Sequence, residues 1–322
     1  MIHRRPILQA LAAAGLLPVL PLARAQSASN KVLVGFPAGG LPDIVARGIT
    51  AGVTQALDGA TVVENKPGAN GRLAGQAVKA AAPDGRTLLV CPASAMVHLP
   101  HVYKDLGYDP FTDFVPVAQL VENAFAFAIS AKIPARTLAE WGAWCKQNPE
   151  QATYGSPGQG SSPHFMGDQV ARALGAPMRH VPYRGNNFAL TDVTGGHISG
   201  MVSTTGQLVP QHKAGHIRIL AVTARARLPE LPDTPTFAEA GMPQLTLTEG
   251  TWVMAPARTP QAVVDKLSAA ILGLLKSQPQ LAASFEVQAD VAPLGAAALA
   301  QRLREDFDRR GAGIRAAGFS AT

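Results

Sequence analysis

The 322-residue sequence predicts an α/β chain of two domains, each a mixed, mostly parallel sheet flanked by helices, joined by two crossing strands. Three observations predict it. Short apolar runs alternate with stretches of helical spacing, and repeated β-α-β units build parallel, doubly wound sheets. The alternation starts twice, near residue 32 and again near residue 152. Two further apolar runs, 114–130 and 252–255, are placed to carry the chain from one series to the other and back.

The elements follow in order. Residues 32–36 form a short apolar run, so a buried strand, and 43–55 have helical spacing. A strand over 61–64 precedes a helix over 71–82, which stops at the turn Pro83-Asp84-Gly85. The next strand is 87–91. The run 114–130 is apolar apart from Pro116 and the polar patch Glu122-Asn123. The second series has a helix over 138–147, a strand over 152–155 and a helix over 163–174. Strands follow at 180–183, 198–203 and 217–222, and 252–255 is the returning strand. Amphipathic helices cover 260–276 and 296–310, the first capped by Thr259 ahead of Pro260. The expected domains are therefore 26–124 with 251–322, and 125–250.

Residues 1–25 read as a leader to be removed. Arg4-Arg5 is followed by an apolar run from Ile7 to Leu22 and by the small-residue site Ala23-Arg24-Ala25. Arg4-Arg5-Pro6 also fits a twin-arginine export signal. The expected mature protein starts near Gln26 and is periplasmic. Without the leader, Lys+Arg falls from 28 to 25 against 22 acids, so the net charge drops from +6 to about +3. The remaining charge forms no basic block with interleaved aromatics, which argues against nucleic acid as a partner. Cys91 and Cys145 are expected in different domains, as buried small hydrophobes. No metal-ligand spacing occurs, and no cofactor is implied.

The informative feature occurs twice. One strand runs into Phe36-Pro37-Ala38-Gly39-Gly40-Leu41-Pro42 and a helix with Asp43 in its first turn. Another runs into Ser156-Pro157-Gly158-Gln159-Gly160-Ser161-Ser162 and a helix from Pro163. Free N–H groups at a helix start point outward and carry partial positive charge. Glycines allow backbone amides close to a ligand. Each loop is a possible anion seat. Either alone is an ordinary βα turn; as a pair they suit a cleft that grips an anion from both sides. Neither loop is a P-loop or a G-x-G-x-x-G. Asp43 serves first to stabilise its helix dipole, Ser161 and Ser162 serve as helix caps, and His164 as a packed, hydrogen-bonded histidine. Larger residues are expected to do most harm at Gly40 and Gly158. G-x-S-x-G is absent from the sequence, and Ser94 and His98 have no acidic partner nearby, so no enzyme is predicted.

The strings now on the page resemble the tripartite tricarboxylate transporter substrate-binding family, also known as Bordetella uptake gene or TctC-like receptors. The similarity spans about Lys31 to Gly318. Val63-Glu64-Asn65-Lys66-Pro67-Gly68-Ala69-Asn70-Gly71 and Ala82-Pro83-Asp84-Gly85-Arg86-Thr87-Leu88 match specifically. Tyr154-Gly155-Ser156, Gly160-Ser161-Ser162-Pro163-His164, Val181-Pro182-Tyr183-Arg184-Gly185 and Leu231-Pro232-Asp233 follow in family order.

The resemblance implies a type II periplasmic-binding-protein fold and capture of a small organic carboxylate by domain closure. The ligand would be a di-, tri- or aromatic acid, delivered by a monomer to membrane permease subunits. It also implies ligand contacts at Phe36, Ala38, Gly39, Gly40, Asp43, Ala93, Ser94, Ser156, Gly158, Gly160, Ser161 and His164. Tyr183, Arg184, Gly185, Asn186, Ser203 and Thr204 would shape the far end of the ligand. Leu41-Pro42-Asp43 replaces a hydroxyl-bearing start that is common in the family. Ser203 stands where many members carry an acid, which disfavours an amino-acid ligand. A sensory receptor, or an exported hydrolase using Ser94 or His164, remain alternatives.

Overall fold

The computed structural model describes residues 29–286 and 289–320. The expected leader and the start near Gln26 lie outside the described residues. The strands are β1 (Asn30–Val34), β2 (Thr61–Asn65), β3 (Thr87–Pro92), β4 (Phe114–Ser130), β5 (Thr153–Ser156), β6 (Arg179–Pro182), β7 (Gly200–Thr204), β8 (Ile217–Val222), β9 (Thr248–Pro256) and β10 (Asp290–Gly295). The α-helices are α1 (Leu41–Gly48), α2 (Thr50–Leu57), α3 (Arg72–Lys79), α4 (Ser94–Val97), α5 (Leu99–Val102), α6 (Leu138–Gln147), α7 (Ser162–Leu174), α8 (Asn186–Gly195), α9 (Thr205–Lys213), α10 (Gln261–Ser277), α11 (Pro279–Glu286) and α12 (Ala296–Ala316).

One path of strands runs β2-β1-β3-β9-β4-β7-β5-β6, with β8 and β10 also paired to β4. The sheet is mixed. β1 pairs in parallel with β2 and β3, and β5 with β6 and β7. The other five pairings are antiparallel, and each includes β4 or β9. Parallel character is thus confined to the β-α-β series, and the two long strands impose the opposite sense where they pass through.

β4 is the spine. Its residues from Phe114 to Ala124 pair with β9, and from Phe125 onward they pair with β7. Pro116 does not end the strand; it sits at a register shift between Pro116 and Ala118, the kind of irregularity at which strand prolines are tolerated. Glu122 and Asn123 stay in the ladder, opposite Gly250 and Glu249.

Buried apolar side chains form four clusters. Two draw their buried members only from residues 32–121 and 252–319, two only from 125–245. Val32, Val34, Leu88 and Val90 face one cluster while Leu33, Leu89 and Cys91 face the next, so β1 and β3 are covered on both sides. That is why they read as unbroken apolar runs. Among the described residues no helix is long and apolar enough to cross a membrane.

Several expectations are revised. The helix expected over 43–55 is two helices that meet at Ile49. Thr259 does not cap α10: Pro260 holds the cap position, and the Thr259 hydroxyl donates to the Pro256 carbonyl at 2.7 Å. α12 continues past residue 310 through Gly311, which lies against the His101 ring where a side chain would collide. α8, α9, α11 and β10 were not anticipated. Cys91 and Cys145 are free and buried in different clusters. A thiol reagent should therefore label neither cysteine in the folded protein and both after denaturation. Rapid labelling of either in native buffer would contradict this packing.

Candidate functional site

In open α/β sheets the crevice outside the carboxyl ends of the strands is where ligands bind. Here β1, β3, β5 and β6 send their following loops to one place, and a cavity of about 340 Å³ lies there. Both halves build its wall. The first half supplies Phe36, Pro37, Ala38, Gly40, Asn70 and Ser94, the second Phe125, Ser161, Gly185, Asn186, Asn187 and Thr204. Asn123, Glu249 and Thr251 enter from the crossing strands β4 and β9.

Two helix starts face this space without side-chain caps. α1 begins after Gly40 and α8 after Gly185, and neither cap residue supplies a side-chain acceptor. Gly40, Leu41, Asn186 and Asn187 are in the wall. α7 differs, because the Ser161 hydroxyl accepts the His164 N–H at 3.2 Å. In α1 Pro42 has no N–H and the Asp43 N–H donates to the Gly40 carbonyl at 2.9 Å, so α1 offers its Leu41 N–H and α8 its first-turn amides, one helix from each half, as positive partial charge to a common cavity.

Of the anticipated residues, Phe36, Ala38, Gly40, Ser94, Ser161, Gly185, Asn186 and Thr204 line this cavity. Phe36, Gly158, Tyr183 and Arg184 line a second one of about 170 Å³, which shares Asn70 and Pro157 with the first. Gly39, Asp43, Ala93, Ser156, Gly160, His164 and Ser203 line neither, for local reasons. The Gly39 N–H donates to Asp43 Oδ2 at 2.9 Å, and Asp43 also takes bonds from Arg47 and Asn65. Burial alone would raise the Asp43 carboxyl, but the Arg47, Gly39 and Asn65 bonds outweigh it and hold it below its usual value. The Ala93 N–H donates to the Gly250 carbonyl.

In the second loop, the Gly160 N–H donates to His164 Nδ1 at 3.0 Å, and His164 stacks on His180 with centroids 3.7 Å apart. Burial pushes His164 down to about 4, so the ring is neutral at pH 7. The Ser156 hydroxyl donates to the Gly158 carbonyl and sits 2.7 Å from His180 Nε2. Ser203 is fully buried and donates to Gln207 Oε1 at 3.0 Å. Its hydroxyl therefore does not decide whether an amine fits the cavity. These side chains set loop shape, and the residues around them meet the cavity.

The loops of the two halves also touch. Asn70 Nδ2 and the Tyr103 hydroxyl donate to the Gln159 carbonyl at 3.2 and 2.8 Å. A Cβ on Gly158 would come within 2.9 Å of Asn70 Cβ, and one on Gly185 within 3.2 Å of Pro37. At Gly40 a Cβ would meet nothing closer than 3.9 Å, so the harm expected there has no basis in packing.

Sequence reasoning missed Glu249, Asn123, Asn70, Asn187 and Thr251. Asn123 carried a usable signal: a polar residue inside a long apolar strand. Glu249 is 4% exposed, and its Oε1 accepts the Ser94 N–H and the Ser162 hydroxyl, both at 3.0 Å. Burial raises the Glu249 carboxyl; the nearby Arg310 and the two serine bonds oppose that rise.

Fold and cavity together define a solute-binding protein of the periplasmic-binding-protein class. The structure is similar to that of the periplasmic binding protein BugD, with a TM-score of 0.83 and 29% identity over 91% of this chain and 98% of that one. It is also similar to R. palustris Rpa4515 with adipate (TM-score 0.83, 27% identity, 91% and 98% covered). A third similar structure is MatC (Rpa3494) from Rhodopseudomonas palustris with bound malate (TM-score 0.80, 30% identity, 88% and 97% covered). Residues 45–319 match the tripartite tricarboxylate transporter family receptor, TctC, and the chain belongs to that family.

The Asp43 clasp makes a prediction. Asp43→Ala should cost about 1–2 kcal/mol in denaturant unfolding, the low end for hydrogen bonds to a charged group because the Gly39 and Arg47 donors are exposed. A group whose folded pKa is depressed contributes stability above its unfolded value, about 3.9. The difference between wild type and variant should thus be full near neutrality and close as pH falls through the lower folded value. A gap that widens in acid would contradict the clasp.

Proposed function

We propose that this chain is an exported receptor that captures a small organic carboxylate between two domains and delivers it to a membrane permease of the tripartite type. The domains are 26–124 with 251–322, and 125–250, and residues 1–25 are the export leader. The observation that carries the reading is the meeting of two uncapped helix starts, one from each half, in a single cavity. A carboxylate there accepts N–H bonds from both sides, so ligand contacts favour the closed arrangement over an open one. The carboxylates bound by the R. palustris proteins support the ligand class. The protein acts as a monomer.

A binding role without catalysis fits the same residues. Ser94 presents its N–H to Glu249, and the neutral His164 is occupied by Gly160. Ser156 and His180 are within hydrogen-bond reach, but Ser156 is fully buried and lines neither cavity. The family is one of receptors.

Two experiments test this reading. A thermal-shift screen of di-, tri- and aromatic carboxylates should raise the melting temperature with at least one acid. Ligand at about 100 times its Kd adds about 2.7 kcal/mol to stability. No shift with any acid would sink the proposal. Gly158→Val should weaken binding of that acid by about tenfold or more, since crowding against Asn70 worth about 1.4 kcal/mol suffices. The melting temperature without ligand should stay close to that of wild type. Unchanged affinity would remove Gly158 from the closing interface.

A further inference from the structure

Glu249 does not fit a site for a bare anion. It sits in the cavity wall, 4% exposed, on the strand that returns from the second half. Among the described residues no salt bridge reaches it; Arg310 nearby directs its Nη2 to the Thr248 carbonyl. Its two hydrogen bonds end on one oxygen. Ser94 donates from α4 and Ser162 from α7, so Oε1 is held from both halves and the carboxyl is fixed in place. Oε2 is left to accept from another donor.

The remaining polar wall groups are asparagine amides and serine and threonine hydroxyls, which give or receive hydrogen bonds according to need. Glu249 Oε1 accepts both of its hydrogen bonds, as a carboxylate oxygen does, and in that form Oε2 also only accepts. Two carboxylates in one desolvated cavity repel each other strongly. A ligand carboxylate therefore belongs at the helix starts, and whatever meets Glu249 must bring a hydrogen to donate.

We propose that Glu249 determines specificity by selecting a carboxylate that also carries a hydroxyl or amino group, whose O–H or N–H donates to Glu249 Oε2. The proposal rests on the carboxylate reading above and narrows it. It also reverses the expectation, drawn from Ser203, that an amino-acid ligand is disfavoured.

Isothermal titration of the purified protein with matched acids tests it. Succinate is compared with malate and aspartate, and glutarate with 2-hydroxyglutarate and glutamate. Wild type should bind a hydroxy or amino member at least about tenfold more tightly than its bare counterpart, the discrimination expected where a buried polar group would otherwise lose its partner. The hydroxy and amino arms separate the two donor chemistries. Glu249→Gln keeps an oxygen for Ser94 and Ser162 and replaces the free acceptor with an amide donor. It should bring the preference to within about twofold, or invert it, with a melting temperature near that of wild type.

Equal or tighter binding of the bare acids to wild type would overturn the assignment while leaving the carboxylate reading intact. A preference that survives in Glu249→Gln would also overturn it. Binding of none of the six acids would count against both readings. Should the variant fail to fold, the wild-type ratio alone decides.

Discussion

The first N–H groups of a helix have no acceptor within the helix, and the architecture around the cavity follows from how each helix meets that constraint. α7 meets it with its own Ser161 hydroxyl. α1 and α8 start from glycines that offer no side-chain acceptor. The Leu41 N–H of α1 and the first amides of α8 are left for whatever enters the cavity, while in α1 Pro42 has no N–H and Asp43 donates to the Gly40 carbonyl. The loops that precede these helices are accordingly held by other means. Asp43 ties Gly39 to Arg47 and Asn65, and His164 ties Gly160. Asp43 and His164 thus hold the loops from which the helix starts meet the cavity.

The second layer of the arrangement is the pair of crossing strands. β4 and β9 run side by side, and Asn123 lies opposite Glu249 in their register. Both residues line the cavity. The strands that join the halves therefore also furnish part of the wall. Glu249 holds Ser94 of one half and Ser162 of the other, and the Gln159 carbonyl takes bonds from Asn70 and Tyr103 across the same gap. Site shape and the relation between the halves are set by the same residues.

Much of this was legible in the chain. α6, β4 and β8 fall over the residues expected, because their apolar periodicity was long or strong. The two glycine-rich loops follow strand ends, as the alternation predicted. α8 and α9 escaped notice because their sequences, NNFALTDVTG and TGQLVPQHK, show little amphipathic pattern and begin directly after a short strand or turn. The site was half legible. Position along the chain identified loops that border the cavity, but not which side chains would turn inward to bond one another. Glu249 was out of reach for a different reason: its partners lie 155 and 87 residues away, and only the closed sheet brings them together.

A crystal structure of the protein with the tightest-binding acid tests the central claim most directly. The account predicts one ligand carboxylate within hydrogen-bond distance of the Leu41 N–H of α1 and of a first-turn amide of α8, inside the 340 Å³ cavity. A ligand seated outside that cavity, or a carboxylate turned away from both helix starts, would contradict it.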